Sequence, residues 1–207
     1  AIDVSCSITS EDKDLSTYVA SEVYKKVFAE TRNYGVGTSL LVFDNHTRVS
    51  FLKSNTDPLF DDFVALIRGA DVSNHACRTM PEKMFQKVDD LELDQQSEPD
   101  PDKPNRSIAI NMVLYSDGMT APINRRGKTI IGADAFKKKL GTELLLVKLK
   151  NNRGKDGNSE FTRVPTSKDA HLFPQNGFLN DANKDIVAQD IADLIIAGLN
   201  CPEEDKK

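Results

Sequence analysis

Five side chains in three separate stretches of the chain have the chemistry to act together on one hard cation. Asp3, Ser5 and Ser7 alternate at the end of a short apolar segment, Thr79 closes the run Cys77-Arg78-Thr79, and Asp117 lies in Ser116-Asp117-Gly118 after another apolar run. All five offer neutral or anionic oxygen. A divalent cation such as Mg2+ takes six oxygens in near-octahedral geometry and keeps several waters, so carboxylates mixed with hydroxyls suit it. Residues two apart in extended backbone point the same way, and Asp3, Ser5 and Ser7 are therefore expected to face one ion.

Such a site needs a scaffold that brings remote loops to one point, and the apolar pattern supplies it. Residues 10–32 place Leu15, Val19, Val23 and Val27 beside Tyr18, Tyr24 and Phe28 at helical spacing, with charged residues between. Ser10, followed by Glu11, Asp12 and Asp14, suits a helix start, and Gly35 and Gly37 suit its end. Leu40-Leu41-Val42-Phe43 is apolar throughout, as in a strand covered on both faces. Val49-Ser50-Phe51-Leu52 follows too soon for a crossover, so the two runs are expected to form an antiparallel hairpin.

Further helices are expected over 58–67 and 81–91, a buried strand over 108–115, a lysine-rich helix over 133–140 and a strand over 143–149. A polar loop at 151–158, a short edge strand at 161–164 and an amphipathic helix at 185–199 complete the reading. Residues 89–107 carry three prolines and few apolar residues, which marks an insertion at about 90–106 within one domain. The alternation argues for an α/β fold: a doubly wound, mostly parallel sheet with one antiparallel edge strand and helices on both faces. Ligands of such sheets bind outside the carboxyl ends of the strands, where the loops bearing Asp3, Thr79 and Asp117 converge.

Composition narrows the function. With 207 residues, 39% of them hydrophobic and 29% charged, the chain can bury one sizeable core. A formal charge of -5 provides no field for nucleic acid, which is not expected as a partner. No apolar run approaches the roughly 20 residues of a membrane helix, so direct membrane insertion is not expected. The first residues already read as the end of a strand, which suggests a piece of a larger multidomain protein with its targeting segment elsewhere.

Cys6, Cys77 and Cys201 are too few for a disulfide scaffold and are not spaced like zinc ligands. Asn45-His46-Thr47 and Asn105-Arg106-Ser107 are candidate glycosylation acceptors, as in an exported glycoprotein. The basic run Lys137-Lys138-Lys139 reads as a solvated helix face, with a heparin-like polyanion contact as the alternative. Cys6 between two serines invites a nucleophile reading, but His46, His75 and His171 lie in loops with no base poised beside it, so no enzyme is expected.

Taken singly, a serine turn caps helices and an Asp-Gly pair makes turns. Jointly, Asp3-x-Ser5-x-Ser7, Thr79 ahead of a helix, and Asp117-Gly118 after an apolar strand resemble the metal-ion-dependent adhesion site of von Willebrand factor A-type (integrin I-like) domains. The resemblance spans essentially the whole chain, as a single domain over 1–201 with a tail at 202–207. It implies that Ser5, Ser7 and Thr79 bind Mg2+ (or Mn2+) through hydroxyls, while Asp3 and Asp117 act directly or through water. A position then stays open for the carboxylate of a protein or glycan ligand, in an extracellular or cell-surface adhesion and receptor-binding role.

Two departures accompany it: Cys6 and Cys77 stand where the family usually has Gly, and Arg78 where it has a small residue. Both cysteines are then expected at the site rim, as a candidate disulfide between two ion-binding loops, with His75 and Arg78 as candidate contacts for the ligand. Cys201 after the last helix is similar to the domain-closing cysteine of apicomplexan surface adhesins. The alternatives are a cytoplasmic A-type scaffold domain in a multiprotein complex, its metal dispensable, and a metal-assisted phosphatase.

Overall fold

The computed structural model describes residues 1–31, 37–51, 60–93 and 109–199. Among the described residues six strands form one sheet: β1 (Ile2–Asp3), β2 (Leu40–Phe43), β3 (Thr47–Phe51), β4 (Ile110–Ser116), β5 (Thr142–Lys148) and β6 (Leu172–Phe173). Their order is β3-β2-β1-β4-β5-β6, with every pair parallel except the β2–β3 hairpin. This is the doubly wound sheet with one antiparallel edge strand that the apolar pattern called for. β1 is short, yet Tyr115 N–H donates to the Ala1 carbonyl at 2.9 Å and Val4 N–H to that of Phe43 at 2.8 Å, which extends its pairing on both sides.

The described residues form six helices, α1 (Ser10–Thr31), α2 (Phe60–Arg68), α3 (Pro81–Asp90), α4 (Arg126–Lys137), α5 (Asn158–Phe161) and α6 (Lys184–Gly198), which lie on both sides of the sheet. Because side chains alternate across a strand, β5 sends Leu145 and Val147 to one face and Leu144 and Leu146 to the other. The first set packs with Val19 and Val23 of α1 and Val187 and Ile191 of α6. The second packs with Met84 and Phe85 of α3 and Ala133 and Phe136 of α4. Tyr24 of α1 carries a smaller cluster with Phe63 and Ile67 of α2.

Several local expectations change. Residues 161–164 are not an edge strand: α5 ends at Phe161 and the turn continues as Val164 N–H donates to the Glu160 carbonyl at 2.8 Å. Phe161 and Val164 are both buried, three apart, which is helical spacing rather than alternation. The edge is β6 instead, parallel to β5 through Leu146↔Leu172 and Val147↔Phe173.

The lysine-rich helix starts at Arg126, well before residue 133. Gly127 and Gly132 weaken its helical signal, but a Cβ on Gly132 would stand 3.0 Å from Cβ of Phe85, so that glycine lets α3 and α4 approach. The α1 cap is Thr9, not Ser10: its hydroxyl accepts the Asp12 N–H at 3.1 Å. The insertion is described only to Leu93, whose N–H donates to the Val88 carbonyl at 3.0 Å. Gly35, the 94–106 part of the insertion, the Asn105 acceptor, Cys201 and the tail lie outside the described residues.

Candidate metal centre

Strand order reverses between β1 and β4, and loops leaving adjacent strands in opposite directions open a crevice at that point. Asp3 ends β1 and Asp117 follows β4, so the topology puts both carboxylates at the crevice. Thr79 arrives on the segment before α3. That segment is docked by the hairpin, since the Asp44 carbonyl accepts the Met80 N–H at 2.9 Å.

The hydroxyls converge. Thr79 Oγ1 donates to Ser5 Oγ at 2.8 Å, and Ser5 Oγ lies 3.0 Å from Ser7 Oγ. Asp3, Ser5, Thr79 and Asp117 are all at most 1% exposed, while Ser7 is half-buried. The reason differs from the alternation argument: the backbone turns at residues 5–7, closed by Ile8 N–H on the Ser5 carbonyl at 3.2 Å. A turn, rather than an extended strand, brings the two serines to one side.

The carboxylates are held by donors rather than by cations. Asp3 Oδ1 accepts the Ser5 N–H at 3.0 Å, and its Oδ2 accepts the Ser116 hydroxyl at 3.2 Å. Asp117 Oδ1 accepts the Met119 N–H at 3.0 Å, its Oδ2 accepts Asn151 Nδ2 at 2.7 Å, and Ser7 also hydrogen-bonds to it. Burial pushes both carboxyls up from the usual range, and for Asp3 the Asp117 charge adds to the effect. Hydrogen bonds from Ser5 and Ser116 on one, and from Ser7, Met119 and Asn151 on the other, pull the opposite way.

Two enclosed carboxylates that repel each other, beside three convergent hydroxyls, fit a hard divalent cation, whose charge would relieve the repulsion. Among the described residues no group of three His, Cys, Asp or Glu side chains gathers as a metal cluster; this site combines two carboxylates with three hydroxyls.

Four supporting features were not visible in the sequence. Asp44 is 1% exposed, and its Oδ2 accepts the N–H groups of His75 and Ala76 at 3.0 Å each, which ties the Thr79 segment to β2. The loop at 151–158, read only as polar, clamps both sides: Asn151 holds Asp117, while Asn152 donates through Nδ2 to the Cys6 carbonyl at 2.9 Å and through its N–H to the Ser7 carbonyl at 2.9 Å. Glu160, 2% exposed, accepts the Thr120 N–H at 2.9 Å, the Thr120 hydroxyl at 3.0 Å and Arg126 Nε at 3.0 Å, which fixes the segment after Asp117. Gly118, at φ +66, lies so close to Gly157 that a Cβ on Gly157 would stand 2.2 Å from the Asp117 carbonyl.

Cys6 and Cys77 are joined as a disulfide, which links the serine turn to the Thr79 segment. His75 and Arg78 are both exposed on that segment; His75 Nε2 lies 3.6 Å from Asp71. His171 is remote from Cys6, with Nε2 3.0 Å from Glu143 at the amino end of β5. Of the three lysines at 137–139, Lys137 donates to the Arg163 carbonyl at 2.8 Å and Lys139 pairs with Asp89 at 2.7 Å, which leaves Lys138 as the exposed member.

No protein-family model and no curated protein matches the chain. Solved structures do match it. Proximal thread matrix protein 1 from the mussel byssus is similar over 94% of this chain and 46% of its own, with 16% identity and a TM-score of 0.69. Another structure of that protein, with a zinc-occupied MIDAS motif, gives a TM-score of 0.66 at the same identity and coverage.

BatB of Bacteroides thetaiotaomicron is similar over 94% of this chain and 96% of its own, at 10% identity and a TM-score of 0.60. The pilus adhesin SpaC of Lactobacillus rhamnosus GG, in an open conformation, covers 96% of this chain and 29% of its own, at 12% identity and a TM-score of 0.64. The chain thus spans less than half of the mussel protein and of the pilus adhesin. At such identities the likeness concerns the fold, and the fold is von Willebrand A-like. Among the described residues no helix is long and apolar enough to cross a membrane.

Proposed function

We propose that the chain is a metal-dependent adhesion domain that grips an acidic group of a protein or glycan ligand through a divalent cation, and that it is not an enzyme. The observation that carries this reading is the meeting of Asp3, Asp117, Ser5, Ser7 and Thr79 at the switch point of the sheet. Ser5, Ser7 and Thr79 would hold the ion through hydroxyl oxygen, with Asp3 and Asp117 bound directly or through water. The ion supplies a Lewis-acid position that a ligand carboxylate can occupy. Mg2+ is the proposed occupant, with Mn2+ the substitute of the same oxygen chemistry.

Disulfide use favours an oxidising compartment, hence a secreted or cell-surface setting within a larger protein. The zinc-occupied site of the mussel protein and the adhesin among the similar structures support the reading by analogy of fold. An apicomplexan-type adhesin rests on Cys201 alone and adds nothing to the site. One observation favours the scaffold alternative, in which the metal is dispensable: Thr79, Ser5 and Ser7 already satisfy one another's hydroxyls.

Calorimetric titration of Mn2+ into the purified domain separates the two. Saturable binding that disappears in Asp3→Ala and in Asp117→Ala is expected. Equal behaviour of the native and substituted proteins would overturn the metal reading and leave the scaffold.

A further inference from the structure

Beside the serine turn lies a cleft of about 390 Å³ whose walls include Cys6, Ile8, Ser10, Lys13, Val72 and Asn74. Lys13 is the member that packing does not explain. It is only 6% exposed, yet its ammonium has no hydrogen-bond partner among the described residues. It feels the charges of Asp3 and Asp44, opposed by that of Arg48. The ammonium is partly desolvated rather than enclosed, and an uncharged side chain of similar length, such as methionine, would fill the same space without that cost. A cation with three free donors on the wall of a cleft is instead suited to receive an anion.

We propose that this cleft is a second ligand subsite, in which Lys13 takes one carboxylate of an acidic peptide while a neighbouring carboxylate of the same peptide reaches the ion site. The inference rests on the metal-dependent reading above and deepens it by naming the ligand class. An ion held by Asp3 and Asp117 adds positive charge near Lys13, whose other acidic neighbour, Asp44, also lies 4.0 Å from Arg48. Anion affinity at Lys13 therefore rises when the cation is present, and the coupling is reciprocal.

The same surroundings select a peptide over a polyanion. Asp14 lines this cleft and, with Glu11, also lines an adjoining one of about 430 Å³, where Asp181 is paired with Lys184 and Arg68 is a further cation. In a chain of net charge -5, the Asp14 carboxylate beside Lys13 opposes a densely charged polysulfate but leaves room for one carboxylate. Ile8 and Val72 offer aliphatic wall to the methylene stem of a glutamate side chain.

The test uses fluorescein-labelled peptides Gly-Asp-Glu-Gly and Gly-Asp-Gly-Glu-Gly against their Gln counterparts, in saturating Mn2+, with binding read by anisotropy. At least one Glu peptide is expected to bind about tenfold more tightly than its Gln counterpart, a difference equal to one charge-assisted pair. Lys13→Met should erase that difference while Mn2+ binding, measured by calorimetry, stays as tight as native or tighter. Val72→Trp, which fills the cleft and leaves Lys13 in place, should erase it too, and circular dichroism melts verify that both variants fold.

A native protein with no Glu preference, or a Lys13→Met protein that keeps it, overturns the subsite and reduces Lys13 to an internal counter-charge. Lys13-dependent binding of a heparin hexasaccharide in place of the peptides overturns the peptide assignment. Failure of the native protein to bind Mn2+ at all overturns the metal reading itself, and the subsite falls with it.

Discussion

Asn151 stands outside the set of oxygen donors yet holds the carboxylate on which that set depends. Its Nδ2 donates to Asp117 Oδ2 at 2.7 Å, while its Oδ1 accepts the Arg153 N–H at 2.8 Å, so the amide is oriented at both ends. Residues that orient metal ligands typically change affinity by 10- to 100-fold when removed. Asn151→Ala is therefore expected to weaken Mn2+ binding by about tenfold or more, read by calorimetry. Asn151→Asp would place a third carboxylate beside Asp3 and Asp117 and should destabilise the metal-free protein, read as a lower melting temperature in EDTA. Gly157 acts by steric room alone: Gly157→Ala sets a methyl 2.2 Å from the Asp117 carbonyl and should cost about 1–3 kcal/mol by urea denaturation.

At the scale of elements, the site is three loops kept in register by ties between them. The Cys6–Cys77 disulfide closes a sequence separation of 71 residues. Cross-links of this kind contribute about 2–4 kcal/mol, chiefly by restricting the unfolded chain. Cys6→Ser with Cys77→Ser is expected to lower stability by that order in urea and to loosen the serine turn against Thr79, with weaker Mn2+ binding as the second readout.

Glu160 ties the segment after Asp117 to α5, and burial pushes its carboxyl up despite Thr120 and Arg126. A carboxyl whose folded value lies above its unfolded value favours the fold most at pH below the unfolded value. That contribution is lost as pH rises through the folded value. In EDTA, Glu160→Gln should flatten the fall in stability as pH rises from the ordinary glutamate range, measured by urea melts at several pH values.

These ties also mark the limit of what the sequence revealed. The mostly parallel sheet with its antiparallel edge, and the five candidate oxygen donors at strand ends, are legible in apolar runs and their polar ends, because a strand buried on both faces leaves a strong pattern. Asp44, Asn151 and Glu160 sit in stretches with no periodicity, and their partners lie 31, 34 and 40 residues away, which local reading does not reach. Phe161 and Val164 looked like a strand because two apolar residues cannot separate a turn of helix from an edge.

For the whole molecule, the proposed ion site lies between two packed halves. β1 and the serine turn lead into α1, which shares one core with α6, whereas Thr79 leads into α3 and Asp117 into α4, which belong to the core on the opposite face. A cation bound by donors from both sides engages only the folded sheet, because the unfolded chain separates Asp3, Thr79 and Asp117 widely in sequence. Binding to the native state alone stabilises it by RT ln(1 + [L]/Kd), about 2.7 kcal/mol at a hundredfold excess over Kd. Thermal melts in Mn2+ at that excess should therefore rise by several degrees over melts in EDTA, and the rise should grow with Mn2+ concentration. The same rise must vanish in Asp117→Ala, whose own metal-free melt supplies the baseline. A rise that persists in that variant would mean that the cation stabilises the chain through surface carboxylates and not at the sheet's switch point.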